Sequence, residues 1–145
     1  MEPQHKLLII DDEEETRNIY REFFTDEGFM VDTAADGVEG LKKLLTDEFD
    51  VAIVDINMPK MNGIEVIRQA LKDDKVDASI IILTGHGERD EAVKAINYGA
   101  DAWFEKLNID MSKLLKRTRE LAQVIPPDVG RRLWALMRQV EERRL

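Results

Sequence analysis

The chain contains no cysteine, which excludes both a disulfide framework and a thiolate metal site. No apolar run in it approaches the ~18 residues that a membrane-spanning helix requires. Residues 1–6 show neither the charged segment nor the apolar stretch that begins a secretory signal peptide. We therefore expect a cytoplasmic protein with no membrane contact.

Acidic residues outnumber basic ones outside the last twenty residues. The chain has a formal net charge of −9, while residues 126–145 hold five arginines against three acids, a balance of +2. The difference leaves −11 on residues 1–125. Because an acidic surface repels phosphate backbones, we expect no direct binding to nucleic acid.

Short apolar runs alternate with amphipathic segments. The runs predict strands at 6–10, 29–33, 50–54, 79–83 and 101–105. The segments between and after them predict helices near 14–27, 37–46, 64–73, 88–98 and 110–124. In the first helix, Ile19, Tyr20, Phe23 and Phe24 are expected to share one face. This alternation predicts an α/β fold with a doubly wound parallel sheet and helices on both faces.

A pair of prolines, Pro126 and Pro127, separates residues 5–124 from a C-terminal helical extension or linker, residues 126–145. A helix near 128–143 would carry its apolar residues on one face, at Val129, Leu133, Met137 and Val140. That face could dock on its own domain, pair with a second copy, or lead into an output domain. Trp134, with arginines around it, has the composition of an interface core, so we predict a homodimer.

Polar residues with related chemistry stand at the exits of four predicted strands. They are Asp11 and Asp12, Asp55, Thr84 and Lys106. Because the carboxyl ends of parallel strands share one edge of a sheet, these groups are expected to form a single site.

Three clustered carboxylates would repel one another and raise each other's pKa unless a cation lay among them. Mg²⁺, with Mn²⁺ as a substitute, is a hard ion that suits oxygen ligands. A carboxylate beside such an ion can attack a phosphoryl group. Lys106 and Thr84 would then stabilise the negative charge of the transferring group, so the site predicts phosphoryl transfer to Asp55.

Over residues 5–124 the sequence resembles the receiver domain of response regulators in two-component signalling. The shared motifs, in the family's order and spacing, are Asp11-Asp12, Asp55 with Met58-Pro59-x-Met61-x-Gly63, Thr84-Gly85, Gly99-Ala100-Asp101 and Lys106. The resemblance implies a flavodoxin-like sheet of five parallel strands in the order 2-1-3-4-5, flanked by five helices. The C-terminal segment would add one further helix.

The resemblance also implies a function in bacterial-type phosphorelay. Asp55 would accept a phosphoryl group from a histidine kinase or a histidine phosphotransfer protein and control an output not present in this chain. The protein would be a signalling phosphoacceptor that catalyses only its own phosphorylation and dephosphorylation, not an enzyme. The implied Mg²⁺ ligands are Asp11, Asp12, Asp55 and the backbone carbonyl of Asn57.

By position in the family, Thr84 and Lys106 would contact the phosphoryl oxygens, and Thr84 with Trp103 would form the conformational switch. Trp103 taken alone is equally consistent with ordinary packing. Asn57 and His86 would adjust how fast water reaches the phosphoryl group. A phosphohistidine or metal-ligand role for His86 is disfavoured because no partner histidine is near it in the sequence.

One position departs from the family: Leu107 follows Lys106, where the family usually has a proline after a cis peptide bond. A cis bond before a non-proline residue costs ~3 kcal/mol, so a trans bond and a strained cis bond are both open. An aspartate-nucleophile phosphatase of the haloacid-dehalogenase type is disfavoured, because Asn57 stands where its acidic residue is needed. A pseudo-receiver, binding partners without phosphorylation, is the remaining alternative.

Overall fold

The computed structural model describes residues 4–72, 75–85, 87–123 and 127–144, without the side chains of 127–132, 134 and 144. The strands in these ranges are β1 (Lys6–Ile10), β2 (Met30–Ala34), β3 (Val51–Asp55), β4 (Ser79–Thr84) and β5 (Ala102–Glu105). The helices are α1 (Glu14–Asp26), α2 (Gly37–Thr46), α3 (Gly63–Leu71), α4 (Arg89–Asn97), α5 (Met111–Ala122) and α6 (Pro127–Arg144). Each element has the type expected from the sequence, with ends shifted by at most two residues.

The strands form one parallel sheet in the order β2-β1-β3-β4-β5, which confirms the expected fold class. The register sets Ile10 opposite Val54, and Asp55 opposite Leu83. The carboxyl ends of β1, β3 and β4 therefore finish side by side.

Helices cover both faces of the sheet, so alternate residues of a strand enter different cores. On β1, Leu8 and Ile10 pack with α2, α3 and α4, whereas Leu7 and Ile9 pack with α1 and α5. All four of these side chains are fully buried. Burial on both faces explains why the central strands are continuous apolar runs rather than alternating ones.

One residue of the apolar face expected on α1 is not buried. Tyr20 and Phe24 are buried and Phe23 packs against the same core, but Ile19 is 55% exposed. At 100° per residue, Ile19 lies beside the Tyr20–Phe24 stripe, at the edge of the contact with the sheet. The apolar side of this helix is therefore wider than the surface that it buries.

Helix α2 begins at a reciprocal pair of side-chain caps. Asp36 Oδ1 accepts a hydrogen bond of 2.8 Å from the Glu39 N–H, and Glu39 Oε2 accepts one of 3.0 Å from the Ala35 N–H. Such contacts satisfy amide donors that the first turn of a helix leaves free.

Helix α6 extends over 18 residues and exposes apolar side chains. Leu133 and Val140 are exposed, and Met137 is 59% exposed. The side chain of Val129, which belongs to the expected stripe, and that of Trp134, expected in an interface core, lie outside the described residues. Among the described helices none is long and apolar enough to cross a membrane.

We predict that these exposed α6 side chains mediate a homodimer, because a helix with an uncovered apolar stripe is marginal in water. Sedimentation velocity at micromolar concentration should show a dimer for the full chain and a monomer after truncation at Ile125. Met137→Glu should also give monomer, while Gln139→Glu, which adds the same charge at another exposed α6 position, should leave the dimer intact. Equal sedimentation of full and truncated chains would show that α6 does not mediate association.

Candidate functional site

The structure brings the strand-end residues together at the carboxyl edge of the sheet. Asp11 follows β1, Asp55 ends β3 and Thr84 ends β4, and all three side chains are buried. Lys106 follows β5, where its backbone N–H donates to the Thr84 carbonyl at 2.8 Å. Carboxylate oxygens of Asp11, Asp12 and Asp55 lie within 4.8 Å of one another. The spatial cluster expected from the sequence is therefore present.

The Lys106 ammonium lies between two of the carboxylates. Its Nζ is 2.8 Å from Asp11 Oδ2 and 3.0 Å from Asp55 Oδ2. Burial works against the charge of this ammonium, but the contacts with the two carboxylates outweigh it and raise the pKa of Lys106. Three carboxylates and one ammonium leave a formal charge of −2 on the cluster, which a divalent cation would neutralise.

The Asp55 carboxyl group has a raised pKa. Burial raises its pKa from 3.8 to about 6, and the negative charge of Asp11 acts in the same direction. Lys106 and a 3.1 Å hydrogen bond from the Asn57 N–H to Asp55 Oδ1 favour the charged form and offset part of this rise. The carboxylate is mostly ionised at neutral pH but poorly stabilised, as a reactive group requires.

Asp11 places a buried carboxylate oxygen against the Lys106 ammonium. Its Oδ1 accepts from the Glu13 N–H at 2.9 Å, and its backbone carbonyl accepts from Arg17 Nη1 at 2.8 Å. Oδ2 is buried and has the Lys106 ammonium, 2.8 Å away, as its one partner among the described residues. A carboxylate oxygen has lone pairs for more than one partner. Together with the all-oxygen donor set, this arrangement fits a hard cation such as Mg²⁺.

The two residues expected to form a switch lie on adjacent strands. Thr84 Oγ1 makes a long hydrogen bond of 3.4 Å to the carbonyl of Phe104, the residue after Trp103. Trp103 itself is 40% exposed, so its ring is not part of the core. A role of Trp103 as a switch stays a prediction.

The structure bears differently on three further positions that the sequence singled out, Leu107, Asn57 and His86. The bond between Lys106 and Leu107 is trans, because the described residues include no cis peptide bond, and Leu107 itself is 65% exposed. Asn57 lies beside Asp55, as expected, but the role of its carbonyl stays a prediction. His86 lies outside the described residues.

Sequence reasoning missed Glu88, which adjoins the site through its side chain. Glu88 Oε1 accepts a hydrogen bond from Asn57 Nδ2, and Glu88 Oε2 accepts one of 2.9 Å from the Gly85 N–H. In the sequence it is one of 30 acidic residues, and only its place four positions after Thr84 could have drawn attention to it.

Residues 7–119 match the family model of the response regulator receiver domain. The chain belongs to this family. Receiver domains are signalling phosphoacceptors of two-component systems and generally have histidine kinases as partners.

Response regulator MprA of Mycobacterium sp. (strain KMS) is 33% identical over 125 residues, which are 86% of this chain and 54% of that protein. MprA of Mycobacterium avium is 32% identical over 123 residues, 85% of this chain and 53% of that protein. The chain thus spans about half the length of these curated relatives.

Solved receiver structures show the same fold. A CheY-like receiver from Methanospirillum hungatei is 30% identical with a TM-score of 0.77, over 83% of this receiver chain and 94% of that one. Chemotaxis protein CheY4 of Vibrio cholerae is 31% identical with a TM-score of 0.73, over 82% of this chain and 99% of that one. TrrA of Thermotoga maritima was solved in complex with Mg²⁺ and BeF. It is 32% identical with a TM-score of 0.72, over 81% of this chain and 99% of that one.

The raised pKa of Asp55 predicts a pH-dependent stability. Folding raises this pKa from 3.8 to about 6, so its contribution to stability is full below pH 3.8 and is lost as the pH rises through 6. Asp55→Asn cannot ionise. Between pH 4 and pH 8, wild type should therefore lose ~2 kcal/mol of unfolding free energy relative to this variant. Urea unfolding in EDTA measures the difference.

Asp90→Asn, at an exposed position of α4, controls for the loss of one negative charge. Its stability should follow that of wild type across the same pH range. A constant difference between wild type and Asp55→Asn from pH 4 to pH 8 would contradict the prediction.

Proposed function

We propose that Asp55 accepts a phosphoryl group from a phosphohistidine of a kinase or phosphotransfer protein, and that the domain then changes conformation to control an output. The observation that carries this proposal is the buried Asp55 carboxylate, held 3.0 Å from Lys106 beside Asp11. Its pKa of about 6 leaves it ionised and under-solvated at neutral pH. The output would be a domain or partner that this sequence does not identify.

In the proposed transfer, an Asp55 carboxylate oxygen forms a P–O bond as the P–N bond of the donor phosphohistidine breaks. The imidazole nitrogen keeps the electron pair of that bond and takes up a proton. Lys106 and the Thr84 hydroxyl would stabilise the charge on the transferring oxygens. Asp11, Asp12, Asp55 and the Asn57 carbonyl would hold Mg²⁺ or Mn²⁺, which would supply positive charge for the incoming phosphoryl group.

Two observations support the choice of a divalent cation. The cluster has a formal charge of −2 even with Lys106 included. The similar receiver TrrA was solved with Mg²⁺ and BeF. The pseudo-receiver alternative has no comparable support, because the candidate acceptor, metal-binding and ammonium groups are all present and close together.

Acetyl phosphate should modify wild type on Asp55 only when Mg²⁺ or Mn²⁺ is present. Intact mass should show an adduct of ~80 Da, the mass of one phosphoryl group. Asp12→Ala should raise the Mg²⁺ concentration needed for half-maximal modification, whereas Glu15→Ala, at an exposed position of α1, should not. Lys106→Ala should still gain the adduct, but the adduct should no longer produce the conformational response.

The acceptor assignment has its own control. Asp55→Asn keeps the shape of the side chain but lacks the nucleophilic carboxylate. An ~80 Da adduct that persists in this variant would show that another residue is the acceptor. An adduct on wild type in excess EDTA would refute the proposed need for a cation.

The switch would couple Thr84 to Trp103. If the Thr84 hydroxyl leaves the Phe104 carbonyl for the phosphoryl group, the space that it vacates becomes open to the Trp103 ring. In a Trp134→Phe background, Mg²⁺ with beryllofluoride should change the fluorescence of Trp103. Thr84→Ser should keep this response and Thr84→Val should lose it. An equal response in the valine variant would show that Trp103 moves without Thr84.

A further inference from the structure

Glu88 joins two loops at the edge of the site to the start of α4. It is the residue immediately before α4, and its two carboxylate oxygens accept hydrogen bonds from Asn57 Nδ2 and from the Gly85 N–H. Asn57 is 31 residues away in the sequence, in the loop that follows β3. We call this pair of contacts the Glu88 clamp.

Ordinary helix capping does not explain the clamp. A residue before a helix usually accepts hydrogen bonds from amides of the first turn, but Glu88 makes no such bond. The Glu88 N–H also donates to the Gly85 carbonyl at 3.4 Å, a contact between backbone atoms alone. That bond does not require a contact of the Glu88 side chain with Asn57.

The direction of the Gly85 amide shows what the clamp covers. The Thr84 carbonyl points to β5, where it accepts from the Lys106 N–H. In a planar trans peptide the next N–H points the opposite way, so the Gly85 N–H points towards β3. The carboxyl end of β3 carries Asp55, which pairs with Leu83. The Gly85 amide is therefore aimed over the acceptor side of the site, and the Glu88 carboxylate occupies it.

We propose that the Glu88 clamp holds the start of α4 in the unmodified domain and that phosphorylation of Asp55 releases it. This inference rests on the proposed function of Asp55. A phosphoryl group adds close to two negative charges and three strong acceptor oxygens. It would compete with Glu88 for the Gly85 amide and repel its carboxylate. Glu88 is a positioning residue in this scheme, and its release frees the Asn57 side chain and the first turn of α4.

The consequence reaches the surface of the protein through α4. Val93 and Ile96 on this helix are exposed, while Ala92 and Ala95 face the core. Release at the first turn would shift the exposed apolar face of α4 relative to the sheet. The clamp thus provides a mechanical connection from the Asp55 edge to a surface that a partner could contact.

Glu88→Ala tests the clamp, with Glu91→Ala as the matched control. Glu91 lies on the same helix and is half-buried, as Glu88 is, with its carboxylate 3.5 Å from Lys94. In the unmodified protein, Glu88→Ala should move the NMR signals of the Gly85 backbone amide and the Asn57 side-chain amide, and Glu91→Ala should not. Because one competing hydrogen bond is removed, acetyl phosphate with Mg²⁺ should modify Glu88→Ala about threefold to tenfold faster than wild type. A residue with a purely structural role would not raise this rate.

Three outcomes would overturn the inference in distinguishable ways. If wild type gains the Asp55 adduct but Glu88→Ala shows the wild-type rate and an unmoved Gly85 signal, the clamp is wrong and the proposed function stands. A slower rate in Glu88→Ala would mean that Glu88 assists the modified state instead of opposing it. If wild type gains no adduct on Asp55, the proposed function fails, and the clamp mechanism fails with it.

Discussion

The ion pairs of Lys106 with Asp11 and Asp55 are the interaction on which this edge of the protein depends. Both carboxylates are buried, where an unpaired charge is strongly unfavourable. One ammonium, within 3.0 Å of both, makes their burial tolerable. The compensation is incomplete, since the pKa of Asp55 is still raised to about 6. Incompletely compensated charge in a buried cluster is characteristic of functional sites rather than of cores.

Sheet topology and two close backbone contacts fix the position of this cluster. Neighbouring strands β1 and β3 deliver Asp11 and Asp55 at the point where the strand order reverses. A side chain at Gly63 would place its Cβ 2.4 Å from the Asp55 carbonyl, and one at Gly37 would lie 2.1 Å from the carbonyl of Met61. Only glycine permits these approaches, so the loop after Asp55 can fold tightly between the site and the start of α2.

The sequence predicted those features whose physical causes are local or periodic. Burial on both faces makes the central strands visibly apolar, and the shared edge of parallel strands makes Asp11, Asp55 and Thr84 a recognisable set. Less predictable were contacts set by side-chain direction. Ile19 belongs to an apolar stripe, yet only its neighbours meet the sheet. The Glu88 contact depends on how two loops pack, which no spacing in the sequence encodes.

The packing of the fold determines which elements can respond to new charge at Asp55. Strands β1 and β3 lie inside the sheet between helices, with nearly every side chain buried, so shifting them would disrupt both cores. Helix α4 is different, because the residues that it buries are two alanines, Ala92 and Ala95. Strand β5 lies at the edge of the sheet and alternates half-buried and exposed residues. Small buried area means a small cost of displacement. Negative charge added at Asp55 is therefore expected to move α4 and β5 rather than β1 and β3. Glu88 directly precedes α4, and Trp103 lies on β5.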